Sequence, residues 1–66
     1  MIGIAIDDLL HNAQAAIRNG QPALAFYFVS AAEKTAIMAN RQDLVSEAKV
    51  SAITAARKLV NAIAFN

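Results

Sequence analysis

His11 is the only histidine in a 66-residue chain that has no cysteine. Imidazole chemistry must therefore start there. Asp8 lies three residues before it and Asp7 four, so on a helix all three side chains share one face. That grouping of carboxylate and imidazole is what helical metal sites use. Two or three ligands on one face do not close a site unless an oligomer supplies the rest by symmetry. The simpler reading is a solvated histidine beside two acids that complement the positive end of a helix dipole. No metal and no cofactor are expected.

Nucleophilic catalysis needs an activated nucleophile, a base and an orienting group. Ser30, Ser46, Ser51, Thr35 and Thr54 are all read as mid-helix, away from the helix that carries His11. Hydroxyls at such positions tend to bond back to the chain. Asp43 and Glu47 stand one turn apart on a face read as exposed, whereas paired-carboxylate chemistry wants a dry cleft. Gly3 and Gly20 are the only glycines, so no glycine-rich phosphate loop can form. These residues do not point to an enzyme. Lys49, Arg57 and Lys58 are the densest basic group, but on a helix Arg57 and Lys58 face different sides. Recognition helices gather several basic and amide groups on one face. With a net charge of +1, neither nucleic acid nor an anionic membrane is expected as a partner.

The elements that carry these residues follow from two breaks. Asn19-Gly20-Gln21-Pro22 puts glycine where a helix ends left-handed and proline in the first turn of the next. A softer break falls at Asn40-Arg41-Gln42, where Asn40 could close one helix or cap another, with Asp43 completing a capping box. The chain is thus read as one all-α domain, residues 1–66, of three antiparallel helices over about 4–18, 22–39 and 42–64. Helix one is amphipathic: Ile6, Leu9, Leu10, Ala13 and Ile17 form its buried stripe, and Asp7, His11, Gln14 and Arg18 its outer face. Ile2-Gly3-Ile4 alternates like a strand but is too short and has no partner.

Helix two is apolar on every side. Leu24, Phe28, Ala31 and Met38 mark one stripe and Ala25, Val29, Ala32 and Ala36 another, while Phe26 and Tyr27 cover the rest of the first half. Such a helix belongs in an interior, and two neighbours cannot enclose it. Helix three has a narrow polar stripe of Glu47, Ser51, Thr54, Lys58 and Asn61. Beside it run two apolar rows: Leu44, Ala48, Ala52, Ala55, Leu59 and Ala62, and then Val50, Ile53, Val60 and Ala64, interrupted by Arg57. At 1.5 Å per residue helix three would reach about 34 Å, against about 22 Å for helix one. Its end, Leu59 to Phe65, is expected to overhang. Alanine, about a quarter of the chain, lets helix axes approach closely, so Ala48, Ala52 and Ala55 or Ala56 are expected to nest against Ala25, Ala32 and Ala36.

Residues 6–39 resemble one degenerate tetratricopeptide (TPR) repeat, a 34-residue helix–turn–helix. Leu9 stands at the family's first large position, Ala13 at its glycine or alanine, and Gly20 in the turn. Ala25, Val29 and Ala32 match the small and aromatic positions of the second helix. The family's proline near the repeat end is absent, with Ile37 nearby, and Asn12 replaces a usual leucine. The resemblance implies a TPR-like helical hairpin followed by a long third helix, and peptide or protein binding, although a single repeat builds no groove. The tail Val60-Asn61-Ala62-Ile63-Ala64 is similar to the end of phage-encoded sponge proteins that sequester cyclic nucleotides in helical oligomers, out of register by one residue. That likeness implies an alternative, a small anionic nucleotide held between subunits near Arg57 and Lys58.

Composition favours association. Hydrophobic residues make up 58% of the chain, above the usual 45–50% or so. A chain this short buries only about 60% of its unfolded surface, and without cysteine it has no disulfide to compensate. The expected function is a small non-enzymatic interaction module, adaptor or inhibitor, that forms a homo-oligomer and binds another protein. Phe26, Tyr27, Leu59, Val60, Ile63 and Phe65 would carry the interface. No basic start precedes the first apolar residues, and the longest nearly apolar stretch, 23–32, is well short of the roughly 20 residues that span a bilayer. A cytoplasmic location and no membrane contact are therefore expected.

Overall fold

Gly20 sets the first corner of the fold. Its φ of 70° is left-handed, a conformation that glycine adopts without the Cβ penalty of other residues. The Gly20 N–H donates to Ile17 O at 3.1 Å and the Gln21 N–H to Ala16 O at 2.8 Å, the paired bonds of a Schellman ending. Pro22 then opens the next helix, where its missing N–H costs nothing. The Gln21 carbonyl accepts the first bond of that helix, from the Ala25 N–H at 3.1 Å.

The computed structural model describes residues 2–40 and 45–64, with side chains described over 5–39 and 45–63. It is all-α, with α1 at Ile2–Arg18, α2 at Pro22–Asn40 and α3 at Glu47–Ala64. Ile2-Gly3-Ile4 belongs to α1 and not to a strand. Asp7 and Asp8 consequently sit beyond the first turn of α1, which carries no acid.

The second corner differs from the expected one. Helix three starts at Glu47 and not near residue 42. Its cap is Ser46, whose hydroxyl accepts from the Lys49 N–H at 3.3 Å and whose carbonyl accepts from the Val50 N–H at 3.2 Å. A serine oxygen bonded to the third helical N–H is the ordinary N-cap device. Asn40 remains the last residue of α2, and Asp43 lies outside the described residues. With 18 residues α3 is not the longest helix, since α2 has 19. The expected overhang of its C-terminal half is absent at Val60, which is only 1% exposed and packs level with the first corner.

Packing occurs in two layers. Beside the first corner, Ala13, Ala16, Ala25, Val29 and Val60 form a buried cluster, flanked by Ile17, Phe26, Phe28 and Ala56. At the other end Ile6, Ala32, Ala36 and Ile53 are buried, flanked by Leu9, Leu10 and Val45. Ile6 meets the late part of α2 while Ala16 meets its start, so α1 and α2 run antiparallel. The pairing of Val60 with Val29 and Ile53 with Ala36 makes α2 and α3 antiparallel as well. Ala25, Val29, Ala32, Ala36 and Ala39 are the buried stripe of α2. The alanine row of α3 does not nest against them. Ala48, Ala52 and Ala55 are exposed, and only Ala56 packs at the core. Ile53 and Val60 occupy the inward side instead, because two branched side chains on one face bury more apolar surface than alanines.

Candidate functional site

Arg57 joins α2 to α3 through three side chains of α2. Its Nε donates to Glu33 Oε2 at 3.0 Å, one Nη2 bond goes to Glu33 Oε1, and another reaches Ser30 Oγ at 2.9 Å. The guanidinium carbon lies 4.5 Å from the centre of the Phe26 ring, within cation–π range. The spacing is helical on both sides: Phe26, Ser30 and Glu33 follow one another at four and three residues, so one guanidinium spans two turns of α2. The hydrogen bonds from Arg57 hold the Glu33 carboxyl below its ordinary value of 4.5 against the opposing effect of partial burial. The same bonds raise Arg57 further. A planar fork on a carboxylate is the strong form of an ion pair.

Other polar groups are similarly engaged. The Lys49 ammonium bonds the Asp7 carboxylate, tying α3 to α1 at the exposed end of the helices. Thr35 donates to Ala31 O at 2.9 Å and Thr54 to Val50 O at 3.0 Å, the back-bonding expected of mid-helix hydroxyls. Asp8 and His11 are exposed. Among the described residues no three His, Cys, Asp or Glu side chains come close enough to hold a metal. No described helix is long and apolar enough to cross a membrane.

The apolar surface is where the structure departs from a sealed bundle. Tyr27 is 65% exposed, Leu59 50% and Ile63 40%. These three are surface residues. Phe26 is half-buried under Arg57 and against the core, with its ring already in use. Val60 is a correction: it is only 1% exposed and packs into the buried cluster with Ala13, Ala16, Ala25 and Val29, at the floor of the groove between α1 and α3. Phe65 lies outside the described residues. The remaining three are divided between helices, with Tyr27 on α2 and Leu59 and Ile63 on α3, where Leu59 borders the groove between α1 and α3.

Two apolar grooves flank α3. One, of about 400 Å³, lies between α2 and α3 and is lined by Glu33, Ala36, Ile37, Val50, Ile53 and Thr54. The other, of about 320 Å³, lies between α1 and α3, with Leu10, Gln14 and Ile17 on one bank and Ala52, Ala55, Ala56 and Leu59 on the other. Sequence reasoning did not single out Ile37 as surface and set Met38 on one of the two apolar stripes of α2; both are largely exposed. Their signal was available, because they lie off the four-and-three spacing of Ala25, Val29, Ala32 and Ala36. The Arg57–Glu33 clasp had no such signal, since its partners stand on different helices 24 residues apart.

Comparison with protein-family models, with curated proteins and with solved structures gives no match.

Proposed function

We propose that this chain is a non-enzymatic, cytoplasmic helical interaction module that self-associates and binds another protein, as an adaptor or a small inhibitor. The observation that supports it most is the set of large apolar side chains left in solvent on α2 and α3: Leu24, Tyr27, Ile37, Met38, Val50, Leu59 and Ile63. Several large apolar side chains left exposed on so small a chain are what a contact surface would use. The antiparallel α1–α2 hairpin, closed by a glycine turn and packed through alanines, is compatible with the protein binding that a TPR-like repeat implies. The nucleotide-sequestering alternative loses its best anion ligand, because Arg57 already forks onto Glu33.

The test has two arms. Absolute mass by light scattering over a wide concentration range should show an oligomer, and a strict monomer throughout would remove the self-association half. For the other half, host extract is passed over the immobilised chain and over its Tyr27→Asp/Met38→Asp variant in parallel. A protein held in stoichiometric amount by the first and lost from the second supports the reading. Equal retention on both refutes this surface.

A further inference from the structure

We infer that α3 is an electrostatically fastened cover on the α1–α2 hairpin, which lifts off as a unit more readily when its ion pairs are screened or neutralised. Among the described residues, the two ion pairs that join helices both end on α3: Lys49 with Asp7 of α1, and Arg57 with Glu33 of α2. In each pair the base stands on α3 and the acid on the hairpin. The segregation extends to the whole elements. α1 and α2 together carry Asp7, Asp8 and Glu33 against Arg18 and Lys34, a net −1 with His11 neutral. α3 carries Lys49, Arg57 and Lys58 against Glu47, a net +2. Eight residues separate Lys49 from Arg57, so the two ties stand about 12 Å apart along the helix. Two ties at that separation fix the direction of α3 as well as its position.

The apolar hold on α3 is slight. Only Ile53 and Val60 are buried among its described side chains. A groove runs along each flank, about 400 Å³ beside α2 and about 320 Å³ beside α1. Atoms that line a groove lack the neighbours that dispersion contacts need. The hairpin is built differently. Ile6, Ala13 and Ala16 of α1 are buried with the inner stripe of α2, and the Schellman ending at Gly20 joins the two helices by a short turn.

These differences rank the openings. Lifting α3 gives up two large buried side chains and both ion pairs, while parting α1 from α2 gives up the rest of the core as well. Cooperative units of partial unfolding often coincide with supersecondary motifs, and here the hairpin is such a unit. Lifting α3 bares the side of α2 that carries Val29 and Ala36, which pack with Val60 and Ile53. Ionic strength therefore sets how often that side is open.

The experiment is native-state amide hydrogen exchange of the full chain, read residue by residue by NMR. In wild type the amides of residues 53–60 should share one opening constant, at least tenfold larger than that of the protected amides of α1 and α2. Raising salt from about 0.01 M to about 1 M cuts the screening length from about 30 Å to about 3 Å and should raise the α3 opening constant about three- to fivefold. The double variant Asp7→Asn/Glu33→Gln, first checked for retained helicity by circular dichroism, should raise it about fivefold at low salt, as loss of two partly exposed pairs implies. Asp8→Asn removes an equal charge from an exposed position of α1 outside both pairs and should change it less than twofold. One opening constant shared by all three helices overturns the cover, because the chain then opens only as a whole. A separate opening of α3 that ignores both salt and the double variant overturns the electrostatic fastening. An Asp8→Asn effect as large as that of the double variant assigns the salt response to net charge and overturns the pairs as its cause.

Discussion

Replacing Arg57 by alanine removes at one stroke the main polar link between α2 and α3. The Arg57 side chain is 21% exposed and the Glu33 side chain 36%, so the ion pair is partly screened and belongs near the top of the surface range, about 0.5–1 kcal/mol. The guanidinium over Phe26 adds about 0.5–1 kcal/mol at a half-exposed site. With the Ser30 bond, the expected cost of R57A is about 1.5 kcal/mol, less than a simple sum because the contacts share one group. In a domain of this size 1 kcal/mol shifts the midpoint by roughly 4–8 °C, so R57A should melt about 6–12 °C lower. The assay is thermal unfolding by circular dichroism, with all proteins at one concentration so that any self-association moves every midpoint alike. A double-mutant cycle with Glu33→Gln isolates the pair and should return a coupling of about 0.5–1 kcal/mol. A coupling below about 0.3 kcal/mol would refute the clasp as a stabilising contact, whatever R57A alone does.

The same pair gives an acid limb. Glu33 titrates lower folded than its ordinary 4.5, so its contribution is complete above that value and fades as pH falls through the lower folded one. The stability gap between wild type and E33Q should therefore shrink on acidification below about pH 4.5, and a gap that widens there contradicts the assignment. Gly20→Ala should cost about 1 kcal/mol from the left-handed backbone alone, since nothing lies within 4 Å of an added Cβ; a neutral or stabilising result in urea titration would show that the turn relaxes. Ile6→Ala empties a fully buried position and should cost about 2–5 kcal/mol, enough to leave a small domain largely unfolded by circular dichroism. Ser46→Ala should cost about 1 kcal/mol and Ser46→Asp nearly nothing, and equal losses in thermal melts would mean the cap is not used.

The sequence by itself determined what local chemistry determines. Gly20 and Pro22 set the first corner because glycine tolerates the left-handed φ that ends α1 and proline fixes the φ that opens α2, and the four-and-three spacing of Ile6, Ala13, Val29 and Ala32 marked the inner faces. The polar stripe of α3 was equally legible, since Glu47, Ser51, Thr54, Lys58 and Asn61 gain nothing from burial. The tertiary structure alone decided which of two apolar rows on α3 turns inward. Periodicity ranks the rows equally, and the choice went to Ile53 and Val60 because their branched side chains fill the space against Val29, Ala36 and Ile6. That choice placed Val60 in the core and left Leu59 and its alanines outside. It also brought Arg57 over Phe26 and onto Glu33, a contact between helices that no spacing along one helix encodes. Surplus apolar surface is a property of composition, but its location depends on how three helices divide the burial among them.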